Sequence, residues 1–136
     1  MAERLPDWPL RLVAYVTAQA RRPFAPGDHD CALFVAGAVA AMTGEDPAEG
    51  VKGRYTTVKG GLRVLRAAGF ADHVAAVAAR CPEIPVLRAG VGDIAVVDGD
   101  DGLPALGIVQ GEAIYVLHPT GLALLPLTRA RRAFRV

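Results

Sequence analysis

The sequence predicts an α+β fold, with N-terminal helices packed on a C-terminal antiparallel β-meander. Two observations predict it. Before Pro82 the apolar residues recur at i, i+3, i+4, the spacing of a buried helix face. After Pro85 they fall in short runs separated by glycine-bearing turns, as strands joined by hairpins do. Helices first and strands second is the segregated order of α+β domains. A length of 136 residues suits a single domain over residues 1–136, and a hydrophobic share of 52% supplies a core that needs no disulfide or structural metal.

Asp7 is placed to cap a first helix with Pro9 in its first turn, where a missing N–H costs nothing. Its inward stripe reads Leu10, Val13, Ala14 and Thr17, and Arg21-Arg22-Pro23 ends it. Asp30 caps a second helix whose stripe is Cys31, Phe34, Val35, Ala38, Val39 and Met42, closed by Gly44. Thr56 or Thr57 starts a third, with Val58, Gly61, Leu62, Leu65 and Ala68 inward and Gly69 as terminator. A shorter fourth runs from Asp72 through Val74, Val77, Ala78 and Cys81 to Pro82. The strands follow: 94–97, the turn Asp98-Gly99-Asp100-Asp101-Gly102, 105–109, the tight turn Gln110-Gly111-Glu112, 113–117, 122–125 and 132–136.

Composition narrows the function. A net charge of +1 gives no bulk field for nucleic acid, and four arginines between Arg129 and Arg135 are cheaper to read as the solvent face of a strand. No apolar run approaches the ~20 residues needed to cross a bilayer, so membrane insertion is not expected. The start Met1-Ala2-Glu3-Arg4-Leu5-Pro6 lacks a signal-peptide hydrophobic region, which points to a protein made and kept in the cytosol. Cys31 and Cys81 are isolated, without zinc spacing, and Asp98–Gly102 lacks the ligands of a calcium loop, Val109 standing where its bidentate Glu belongs. Gly60-Gly61 lies inside a helical pattern rather than after a strand. No cofactor or metal is expected.

Cys31 is the candidate nucleophile. A thiolate attacks, and a helix N-terminus favours its negative charge. The competing role is a small apolar residue opening a buried stripe, which is how Cys81 is also read. Of the three histidines, His29 sits on the capping loop with its ring directed away from the sulfur, and His73 starts the fourth helix as a solvated residue. His118 ends a strand and is the candidate base, since Cys–His pairs are commonly distant in sequence. Glu112 or Asp28 would orient its ring.

The order Asp30-Cys31 on a helix, Gly92-Asp93-Ile94-Ala95-Val96-Val97, then Leu106-Gly107-Ile108 resembles the NlpC-type, papain-like cell-wall cysteine peptidases. More closely, the chain is similar to a domain family of unknown function from tailed phages and prophages. The shared features are Trp8, Asp30-Cys31, Thr43-Gly44-Glu45-Asp46, Gly53-Arg54-Tyr55-Thr56, Gly92-Asp93, Leu106-Gly107-Ile108 and Phe134. The resemblance implies a papain-like NlpC-type fold, Cys31 at the nucleophile position and Asp93 in the turn before the first core strand. The chain departs from the peptidases at the base, which would fall at Ala105 or Leu106, while His118 aligns better with the third, orienting residue. The expectation is therefore a catalytically degenerate structural protein of the virion tail, docked among other tail-tip proteins. The alternative is an active peptidoglycan hydrolase that cleaves stem peptides with Cys31 and His118. A free-standing adaptor or inhibitor that binds a partner through its Arg-rich end is a third class.

Overall fold

The computed structural model describes residues 3–136 and is α+β, four helices followed by a six-stranded antiparallel sheet. The helices are α1 (Trp8–Gln19), α2 (Cys31–Thr43), α3 (Val58–Ala67) and α4 (His73–Ala78). The strands are β1 (Glu83–Ile84), β2 (Ile94–Asp98), β3 (Pro104–Val109), β4 (Ala113–His118), β5 (Gly121–Pro126) and β6 (Arg132–Phe134). Strand order is β1-β6-β2-β3-β4-β5, so β2 to β5 form the expected meander and β6 returns to pair with β2 on its other side. Two-residue β1, between Pro82 and Pro85, pairs with β6 and is too short to show any periodicity in sequence.

Helix α2 is the spine. Phe34, Val35, Ala38, Val39 and Met42 are buried as the stripe predicts, and Leu33 and Ala36 on its other sides are buried too. A helix apolar all round belongs inside, covered by α1 on one side and the sheet on another. The sheet meets it with Ile94, Val96, Leu106, Ile108 and Phe134. The alternate residues Ala95, Val97, Val109, Ile114 and Val116 form a second buried layer on the opposite face, packed against Leu125, Leu127 and Ala130. Gly107 belongs to that face. A Cβ there would lie 2.6 Å from both the Tyr115 carbonyl and Ile114 Cγ2, so only glycine lets β3 and β4 pair.

Helix α1 is rotated from the expected orientation. It buries Leu12 and Val16 and packs Trp8 and Tyr15 against the core, whereas Leu10 and Val13 are 75% and 64% exposed and Ala14 and Thr17 also face outward. The helix carries two apolar stripes, and the one with larger payload and a polar handle is buried: Tyr15 stacks on Phe34 and donates to its carbonyl at 2.8 Å. Asp7 makes no side-chain cap, because its Oδ1 accepts instead from Arg11 at 2.8 Å. Helix α3 is only partly covered; Gly61 is buried, but Val58 and Ala68 face solvent.

Two of the four arginines near the C-terminal end are engaged in ion pairs. Arg131 pairs with Asp98 and Arg132 with Glu83, tying β6 to its neighbours rather than offering an open anion site. At the sheet's outer edge, the Leu122 N–H donates to the Ala20 carbonyl at 3.0 Å, and β5 ends at Pro126.

Asp93 joins the two ends of the described chain. Its Oδ1 accepts from Arg4 Nη2 at 2.9 Å and the Val136 N–H at 3.2 Å, and its Oδ2 from the Gly90 N–H at 2.9 Å. Arg4 donates further to the carbonyls of Val136 and Val91 and lies 4.2 Å over the Trp8 ring. Asp93 is 3% exposed, so its removal strands the Arg4 charge and two amides. Asp93→Ala is expected to lose about 3 kcal/mol in urea unfolding, the range for breaking a buried pair from one side.

Candidate functional site

The loop before α2 is folded back on itself. Ala25 and His29 exchange backbone hydrogen bonds at 2.8 and 2.7 Å, with Gly27 at φ +81° between them. The Tyr55 carbonyl oxygen occupies the space a Cβ on Gly27 would need, 1.7 Å from its ideal position, so this approach requires glycine. Asp30 then caps α2 in full. Its Oδ1 accepts from the Leu33 N–H at 2.9 Å, and its Oδ2 from the Gly27 N–H at 3.0 Å and the Tyr55 hydroxyl at 2.5 Å. Burial, and then this hydrogen bond to Asp30, push the Tyr55 hydroxyl far above its ordinary pKa, so it stays a donor. The Asp30 carboxylate is thus held in place by three hydrogen bonds, two from backbone amides and one from a side chain.

Cys31 follows as the first residue of α2, half-buried, at one end of a cleft of about 160 Å³ between α2, α3, α4 and the β2–β3 turn. The cleft is mainly apolar, with Phe24, Leu62, Leu65 and Leu103 in its walls and Tyr55 and His73 among its few polar groups. Burial raises the thiol pKa, helped by the Asp30 charge; the Leu106 and Ala32 amides pull the other way without reversing it. The helix N-terminus therefore does not yield a thiolate, because desolvation outweighs the amides. The Leu106 side chain is buried in the helix-facing layer of β3, so this strand position is apolar.

The structure does not bring His118 to Cys31. His118 is exposed at the end of β4, shares strand parity with Ile114 and Val116 on the face away from α2, and is absent from the cleft walls. Its two candidate orienting residues are elsewhere as well: Glu112 is exposed at the β3–β4 turn, and Asp28 pairs with Arg22 at 2.9 Å. His29 lies edge-on to Phe34 and lines a different cavity from Cys31. It is 2% exposed, its Nε2 has no hydrogen-bond partner among the described residues, and this second cavity is polar, with Gln19, Arg22 and Lys52 beside it. Cys81 is core, as read.

His73 differs from its solvated role. It is half-buried in the wall of the Cys31 cleft, and its Nε2 lies 2.6 Å from the Pro104 carbonyl. A carbonyl only accepts, so Nε2 carries a proton, and in the neutral ring Nδ1 keeps the lone pair. Asp72 caps α4 through the Ala75 N–H at 2.8 Å and so aims this residue. Its partner lies 31 residues away on β3, and no local pattern signals that pairing.

The arrangement resolves into a buried cap, a protonated thiol and an apolar cleft, all inside the segment that a family model recognises. The model for DUF6950, a domain of unknown function, matches residues 3–136. The chain belongs to this family. No curated protein matches it. The DUF6950 match spans every helix and strand, so the Asp30 cap, the cleft and the Asp93 clamp are all features of a DUF6950 domain. Among its described residues no group of three His, Cys, Asp or Glu side chains is placed to hold a metal ion, and no helix is long and apolar enough to cross a membrane.

Two measurements follow from these environments. Iodoacetamide is expected to alkylate Cys31 in native protein more slowly than a free thiol at neutral pH. The rate should rise at higher pH than the ~8.5 of an ordinary cysteine; a midpoint at or below that value contradicts the burial argument. Burial, then the Arg22 charge, lowers the His29 pKa below its ordinary value, despite Asp28 and Asp30. The unfolded chain then binds more protons than the native one below ~6.5, so stability is complete above that pH and is lost as pH falls through it. Urea midpoints should decline from about pH 7 to about pH 5 in wild type and decline less in His29→Leu.

Proposed function

We propose that this DUF6950 domain is a structural component of a phage tail, a papain-like scaffold retained for its shape and no longer hydrolytic. The observation that carries the loss of catalysis is Leu106, buried in the helix-facing layer at a strand position where the resemblance to cell-wall peptidases calls for a base. The raised thiol pKa, the engagement of the Asp30 carboxylate in three structural hydrogen bonds and the exposed position of His118 on the other face support the same reading. The tail assignment rests on the sequence resemblance alone. Its partners are other tail-tip proteins, and its place is the virion.

A second reading has one observation in its favour, the presence of His73 in the Cys31 cleft with Nδ1 free to accept a proton. It makes the domain a peptidoglycan hydrolase with Cys31 as nucleophile and His73, in place of His118, as base. Attack of sulfur on a stem-peptide carbonyl would release the amine with the proton taken from the thiol, and water would free the acyl group.

In a phage that encodes the chain, the protein is expected to co-purify with assembled tails, and Cys31→Ala should leave particle yield and plating unchanged. Its absence from purified particles would refute the structural role. Clearing of a peptidoglycan gel by the wild type that is lost in both Cys31→Ser and His73→Ala, and kept in His118→Ala, would establish the second reading. Loss of acid–base help typically costs ~10²–10⁴-fold, which such a gel resolves.

A further inference from the structure

Helix α1 buries one of its two apolar stripes and presents the other to solvent. Leu10, Val13, Ala14 and Thr17 recur at i, i+3, i+4, i+7 on its outer face, and Leu10 and Val13 are 75% and 64% exposed. Among the described residues no other element packs over this stripe, since α1 meets α2 through Leu12, Tyr15 and Val16. An amphipathic face with this period is the form that another helix covers.

We propose that the outer face of α1 is an interaction surface for a second copy of this chain, the two α1 helices packing antiparallel. The shape is self-complementary. With a two-fold axis near Ala14, Leu10 lies over Thr17 of the second copy and Val13 over Ala14 of the second copy, large against small, and Ala14 at the crossing lets the backbones come close. The charges select the same orientation. Asp7, with its Oδ1 bonded to Arg11, stands at the N-terminal end of the stripe and Arg21 just past its C-terminal end; both are exposed, and Arg21 has no ion pair among the described residues. Antiparallel packing places Asp7 of each copy near Arg21 of the other, and opposes the helix dipoles. Parallel packing would set Asp7 against Asp7 and Arg21 against Arg21.

The interface is small. One pair of 12-residue helices buries less than the ~1,200–2,000 Å² of a stable complex. The dimer therefore forms at high local concentration, as when copies are held side by side in an assembly, and dissociates on dilution. This surface is on the far side of α1 from the core and independent of any chemistry at Cys31.

Sedimentation equilibrium on the full chain from about 10 μM to about 1 mM tests it. A monomer–dimer equilibrium is expected, shifted at least tenfold toward monomer in Leu10→Glu and in Val13→Glu. Both positions are solvent-exposed, and unchanged urea midpoints verify that the variants remain folded. Asp7→Arg and Arg21→Glu should each weaken the dimer, and the double variant should regain most of the loss. A monomer throughout the concentration range overturns the proposal and leaves the stripe to a different protein. A dimer indifferent to Leu10→Glu overturns it equally, by placing the contact on another surface.

Discussion

The Asp30 carboxylate fixes the register from which the rest of the chain is built. Its two oxygens gather the Gly27 amide, the Leu33 amide and the Tyr55 hydroxyl, three donors from three separate backbone positions. That triad sets where α2 begins, and α2 supplies most of the side chains packed against the sheet. The same contact anchors the segment leading into α3, because Tyr55 also packs on Gly60 and Gly61 at the start of that helix. Charge-assisted hydrogen bonds of this kind are about twice as strong as neutral ones, and with Asp30 9% exposed they are little diluted by water.

Asp93 repeats the device at the other end of the molecule. Two short-side-chain acids, each preceding a core element and each satisfied by backbone amides and one side-chain partner, hold the helical and sheet halves to their respective loops. The cleft lies at the first of these knots, not at the second. Its chemistry follows from that placement: burial among apolar side chains, with the Asp30 and Asp101 charges nearby, leaves the sulfur in its neutral form. A site built this way suits contact with an apolar group better than bond cleavage, unless His73 draws close enough to take the thiol proton.

Most of the architecture was legible because its signals are local. The Asp30 and Thr57 caps, Gly44 as a C-cap and the glycine-bearing hairpins announce themselves within a few residues. The meander order could be read from turn spacing alone. What failed was long-range. Helix α1 has two apolar stripes, and sequence periodicity has no means of ranking them; the choice depended on the Tyr15 hydroxyl finding the Phe34 carbonyl 19 residues away. The histidines failed for a related reason. His118 was assigned by its position at a strand end, but period-two alternation turns it from α2, and His73 gained its place through a carbonyl on β3. Side-chain chemistry at the cleft is decided by which face of a strand a residue occupies, and one step along the chain reverses the answer.

The outer edge of β5 has a consequence for the behaviour of the protein at high concentration. An uncharged six-residue edge strand, Gly121–Pro126, is the kind of segment that templates addition of foreign strands. Its odd-numbered residues bond to β4, leaving the even ones to face outward. Of those three, Leu122 spends its N–H on Ala20 and Pro126 has none, so Leu124 keeps the single outward donor. An incoming strand would find one donor where a full ladder offers several. Crowded copies are thus steered away from edge-to-edge amyloid-like growth, and contacts between them fall to side chains instead of backbone.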